Sequence, residues 1–66
     1  MRNTIKVERA KKNITQAELA EVLDVSRLTV HSIEAGKFNP SVFIALKMAR
    51  FFNIAMEELF ILEDTD

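Results

Sequence analysis

Sixty-six residues hold one domain with one small core, and 48% apolar content with a single glycine and a single proline describes a folded, helix-rich chain rather than a disordered one. The absence of cysteine excludes a disulfide or a thiolate metal site, and one histidine leaves zinc without a ligand set. The formal charge of −1 hides an asymmetry: residues 1–50 carry all nine bases against five acids, net +4, while residues 51–66 carry five acids and no base. The body therefore permits an anionic partner. The apolar runs are too short for a membrane span, and no basic segment precedes a hydrophobic one, so a cytoplasmic protein is expected.

In chain order, caps and breakers mark five short helices. The first runs from about Thr4 to Lys12 and closes at Asn13, which tolerates the left-handed conformation. Thr15, with Glu18 three residues on, forms a capping box that opens a second helix through Leu19, Ala20, Val22 and Leu23. Asp24 is again tolerant of positive φ, and Ser26 caps a third helix from Arg27 to Glu34 or Ala35, stopped by Gly36. After the "KFNPS" loop a fourth helix spans about Ser41–Phe52 and ends at Asn53. A last short helix covers about Met56–Phe60, with "ILEDTD" as an acidic tail expected to be a solvated end. No run alternates as a long strand, although "LFILE" could pair weakly with the N-terminus. The expected fold is all-α, a compact five-helix bundle in a single domain over 1–66. Helices of two or three turns are unstable alone, so Ile5, Ala10, Ile14, Leu19, Leu23, Val25, Val30, Ile33, Leu46, Ala49, Ile54 and Leu59 are expected to form the core.

Residues 16–35 read as two helices around a tight corner. Counting from Gln16, apolar residues occupy the fourth, eighth, tenth, fifteenth and eighteenth places (Leu19, Leu23, Val25, Val30, Ile33), and the small Ala20 holds the fifth. This is the pattern of a helix-turn-helix, with Asp24 in the turn where Gly would cost less, by about 1 kcal/mol. With Val30 and Ile33 inward, Arg27, Leu28, His31 and Ser32 face out. Such a motif lays that face in the major groove of DNA. Arg27 suits a guanine, Leu28 a thymine methyl, and Thr29, His31 and Ser32 complete the candidate base contacts. Gln16 and Ser26 stand at helix N-termini where phosphates bind, and Lys37 and Asn39 in the next loop extend the backbone contact. A lone surface histidine such as His31 is more often a plain solvated side chain than a base contact; it has no Cys, Ser or Asp at a spacing that would make it a ligand or base.

"TQAELAEVLDVSRLTVHSIEAGKFNPS" resembles the Cro/C1-type (Xre) helix-turn-helix family, whose members carry T-Q-x-x-L-A, V-S-R-x-T-(I/V), I-E-x-G-K and N-P-S at these spacings. The resemblance runs from Ile5 to Phe60 and extends to small stand-alone repressors. It implies a five-helix fold of the lambda-repressor-like type, a double-stranded DNA operator as partner and no enzymatic activity. It also implies an internal ion pair at the positions of Arg9 and Glu34. The chain departs from the pattern at Asn13, Asp24 and Asn53, where relatives carry Gly. Leu28 replaces a common Gln, Glu8 an apolar residue, and Ala55 a Ser or Thr cap.

"SVFIALKMARFF" is apolar around more than one face. With Val42, Leu46 and Ala49 turned inward, Phe43, Ile44, Met48, Phe51 and Phe52 are too many for one small core to cover. Helix four (41–52) and the tail are therefore expected to build a homodimer, with Phe43, Ile44, Phe51 and Phe52 as interface. Two reading helices about one DNA turn (~34 Å) apart would then meet a palindromic operator. No cofactor, metal or small-molecule ligand is expected, and no catalytic constellation is present. The alternative is an antitoxin or adaptor that uses the same fold to bind protein.

Overall fold

The computed structural model describes residues 1–66. Its elements are β1 (Arg2–Asn3), α1 (Ile5–Lys12), α2 (Gln16–Leu23), α3 (Arg27–Glu34), α4 (Val42–Phe52), α5 (Met56–Leu59) and β2 (Phe60–Ile61). The two strands pair antiparallel, Arg2 with Ile61 and Asn3 with Phe60. The expected five helices and terminal pairing are present, with small shifts in their bounds. Thr4 precedes the first helix instead of starting it, and Phe60 leaves the fifth for β2.

N-cap side chains start three helices. Thr15 Oγ1 accepts from the Glu18 amide at 3.1 Å while Glu18 Oε1 accepts from the Thr15 amide at 2.9 Å. Ser26 and Ser41 Oγ accept from the amides of Thr29 and Ile44. Each satisfies a donor that the first helical turn leaves free. α5 has no such bond, because the Ala55 side chain has no oxygen to offer.

One device ends α1, α2 and α4. Asn13, Asp24 and Asn53 take φ of 55°, 57° and 57°, and the next residue's amide reaches back over the last turn: Ile14 to Arg9, Val25 to Ala20, Ile54 to Ala49. Ile14, Val25 and Ile54 then pack against the core, the apolar contact that accompanies this type of helix end. α3 ends in the same hydrogen-bond pattern, with Gly36 at φ 76° and the Lys37 amide bonded to the Ser32 carbonyl. There a lysine takes the place of the apolar residue, so nothing draws the following loop into the core.

The core comprises Ile5, Leu19, Ala20, Leu23, Val30, Ile33, Ala45, Met48, Ala49, Phe52, Leu59 and Phe60. Five expected members lie outside it: Ile14, Val25 and Ile54 are half-buried against it, Ala10 is exposed, and Leu46 is 53% exposed. α4 buries the stripe 45/48/49/52 instead of 42/46/49, leaving Val42 exposed as well. Both stripes are apolar; the buried one carries the larger Met48 and Phe52, hence more area to remove from water. Phe52 is therefore core and not available as interface, contrary to the sequence reading. Ile44 and Phe51 are half-buried against the core, and Lys12 Nζ lies 5.1 Å over the Phe51 ring. Of the four residues expected at an interface only Phe43 stands well exposed, with Lys47 Nζ 5.0 Å over its ring. Lys47 also donates to the Leu23 carbonyl at 2.8 Å, satisfying an acceptor at the end of α2.

The acidic tail is exposed, as a solvated end is, and is also tethered to the start of the chain. The Met1 amino group contacts Asp66 at 2.9 Å and Glu63 at 3.3 Å, and Asp66 Oδ2 accepts from the Glu63 amide. No helix is long and apolar enough to cross a membrane.

Candidate nucleic-acid interface

α3 is held at both ends and along its inner face. Val30 and Ile33 are buried beneath it. At its start Ser26 Oγ bonds the Thr29 amide and also lies 2.9 Å from Thr29 Oγ1, so both hydroxyls are engaged with each other. Ser26 and Thr29 thus serve first to begin the helix, and Thr29 is half-buried. At its end Asn3 Nδ2 donates to the Ile33 carbonyl at 3.0 Å and, less closely, to that of Glu34, while Asn3 Oδ1 accepts from the Ile5 amide. One side chain thereby closes α3 and opens α1.

Arg9 grips the last residue of α3. Its Nε and Nη2 reach Glu34 Oε2 and Oε1 at 2.9 Å each, and Nη1 donates to the Ile14 carbonyl at 2.9 Å. The hydrogen bonds that Arg9 donates to Glu34 hold the guanidinium pKa above its ordinary value.

Outward from this frame, α3 presents two flanks. Arg27 and His31, both exposed and one turn apart, point along the side next to α1 and the start of α2. Arg27 shares a cleft of about 440 Å³ with Arg9, Asn13 and Gln16. His31 shares one of about 470 Å³ with Lys6, Arg9, Gln16 and Glu34. Gln16 lines both, and so stands between the two outward residues at the N-terminus of α2. Leu28 and Ser32 lie on the other flank, in a cleft of about 260 Å³ with Thr29, Lys37 and Phe38. Leu28 is 70% exposed and Ser32 is half-buried. Asn39 is exposed but lines none of these clefts.

Two side chains at this surface escaped the sequence reading. Lys6 adds a cation beside Gln16 and His31, which depends on how α1 packs against α2 rather than on any local pattern. Phe38 adds an exposed aromatic beside Leu28; the only local signal was an aromatic next to a lysine in a short loop.

Residues 5–59 match the family model described as Helix-turn-helix. The chain is 47% identical over 66 residues to an uncharacterized HTH-type transcriptional regulator of Methanocaldococcus jannaschii, covering all of both chains. It is also 47% identical over 66 residues to one of Archaeoglobus fulgidus, covering all of this chain and 93% of that one. To the uncharacterized HTH-type transcriptional regulator YgzD of Bacillus subtilis it is 41% identical over 64 residues, 97% of each chain. With the corner at Asp24, the exposed outer face of α3 and these full-length matches in agreement, the chain belongs to the Cro/C1-type helix-turn-helix family of DNA-binding domains and is not an enzyme.

Proposed function

We propose that this protein is a cytoplasmic, homodimeric transcriptional repressor that reads a palindromic double-stranded operator by laying α3 in the major groove. The observation that carries this reading is the outer face of α3. It projects Arg27, Leu28 and His31 into solvent from a helix anchored by Ser26, Asn3 and Arg9, with Gln16, Lys6 and Lys37 around it. Arg27 reads a base by its fork of donors, His31 and Ser32 take flanking base or phosphate positions, and Gln16, Lys6 and Lys37 hold the backbone. Repression follows by occlusion, since the bound dimer covers promoter DNA.

The homodimer uses α4. Val42, Phe43 and Leu46 are exposed on it, and a groove of about 640 Å³ between α4 and α5 is lined by Leu46, Ala49, Ile54 and Ala55 with Arg50 and Glu58. Arg50 and Glu58 have no ion-pair partner within the chain. A two-fold axis through that groove pairs each with the other across the interface, the self-complementarity a symmetric dimer requires.

A salt titration on duplex DNA of mixed sequence, followed by selection from a random duplex pool, tests the proposal. Affinity is expected to fall steeply with salt and the pool to yield two inverted half-sites about one turn apart. Binding that is absent at low salt, or indifferent to salt, would favour the antitoxin or adaptor reading, for which the exposed Phe43 is the contact surface.

A further inference from the structure

The loop after α3 carries an aromatic that the chain does not use to fold. Phe38 is 54% exposed and shares its cleft with Leu28, ten residues earlier. Gly36, with φ 76°, and the bond from the Lys37 amide to the Ser32 carbonyl turn the chain back beside the helix and bring the two together. Thr29, Ser32 and Lys37 complete the lining, so the two apolar walls stand among hydroxyls and a cation.

We propose that Leu28 and Phe38 form a notch for the 5-methyl group of a thymine in the bound duplex, which makes Phe38 a specificity-determining residue outside the helix-turn-helix unit. The inference rests on the DNA-binding reading above. Along the major-groove edge of a base pair the thymine methyl is the one bulky apolar group; the rest are hydrogen-bond donors and acceptors, apart from small ring C–H groups such as that at C5 of cytosine. The methyl is therefore the base-edge group that a pair of apolar walls selects. Lys37, on the same cleft, supplies the charge for a neighbouring phosphate, and Ser32 bonds to the adjacent base edge. The thymine lies on the loop flank of α3, away from the bases met by Arg27.

The test uses the full chain and the best-bound duplex from a random pool, remade with deoxyuridine in place of each thymine in turn. Deoxyuridine pairs as thymine does and lacks only the methyl group. At one thymine per half-site the substitution is expected to weaken binding about 4-fold, the effect of one buried methyl. Phe38→Ala and Leu28→Ala are each expected to bring the thymine-to-deoxyuridine ratio at that position towards 1, whereas Arg27→Ala leaves the ratio intact; circular dichroism checks that the variants fold. Salt-dependent binding with no methyl-sensitive thymine would overturn the notch alone, as would a methyl effect that survives Phe38→Ala unchanged. Failure to enrich or bind any duplex would overturn the DNA-binding reading and the notch together.

Discussion

Arg9 and Glu34 meet as a two-pronged fork, both contacts at 2.9 Å, and the remaining guanidinium nitrogen is taken by the Ile14 carbonyl. A single side chain thus ties α1, the turn that follows it and the end of α3. The side chains are only 16% and 9% exposed, so the pair is shielded from the solvent that weakens most surface bridges.

Arg9→Ala is expected to destabilise the fold by about 1.5–3 kcal/mol, because it leaves a shielded carboxylate without its donors. Arg9→Lys recovers only part of this, since an ammonium cannot fill the fork. Urea unfolding of the three proteins gives the order wild type, Lys, Ala; equal stability of all three would contradict the role assigned to the fork.

Arg27→Ala is expected to cost roughly 1–3 kcal/mol on the selected duplex and to relax preference at one base pair per half-site. Uniform weakening on every sequence would instead make Arg27 a phosphate contact. Competition binding on single-base variants distinguishes the two.

Asp24 holds φ 57° at the corner of the motif and sets a carboxylate at the negative end of α2. Asp24→Gly removes the strain and the unfavourable charge, and is expected to raise stability by about 1 kcal/mol. That corresponds to a Tm rise of about 4–8 °C for a domain of this size. The measurement is a thermal melt at fixed protein concentration; a lower Tm would show that Asp24 holds something besides the turn.

Leu46→Glu places a charge in the proposed α4 interface at a position outside the core. Sedimentation equilibrium is expected to shift from dimer to monomer while the helical circular dichroism persists. Operator affinity falls with it, because one half-site then binds alone. An unchanged dimer would move the interface elsewhere.

The contact between Met1 and Asp66 is expected to depend on pH at both ends of the scale. The Glu63 amide, and after it the Met1 ammonium, hold the Asp66 carboxyl below its ordinary pKa; this contribution is present above that ordinary value and lost as pH falls through the lowered one. Asp66 in turn raises the Met1 amino group, whose contribution is complete below the ordinary value and lost as pH rises through the raised one. Cross-strand contacts between Arg2 and Ile61, followed by NMR, are therefore expected to hold between about pH 4 and 8 and to weaken outside that window. Asp66→Asn reduces the change on the acid side; a profile identical to wild type would dissociate the ribbon from this contact.

What was legible in the sequence is what is encoded locally. Thr15 with Glu18, Ser26 and Ser41 announce helix starts within four residues, and Asn13, Asp24 and Asn53, each followed by a branched apolar residue, announce helix ends. The outward set Arg27, Leu28 and His31 followed from placing Val30 and Ile33 inside. The face of α4 was not legible, because Val42/Leu46 and Met48/Phe52 are both apolar stripes and only packing against the other helices chooses between them. Phe60 entered the core through a two-residue strand whose partner lies at the other end of the chain. The grip of Asp66 on Met1 spans 65 residues, and no local pattern signals such a contact. At the candidate site the same division holds: Lys6 and Phe38 reach it only through tertiary placement.

Asn3 carries a consequence for the heat of association. Its amide group closes α3, its carbonyl oxygen opens α1, and its backbone pairs with Phe60. This residue ties the carbonyl end of α3 to the terminal ribbon, so the two are expected to open as one cooperative unit. On the proposed function, α3 meets DNA already formed. Binding is then expected to carry no helix-folding step, with a heat-capacity change that reflects only the surface covered, without the large negative excess of coupled folding.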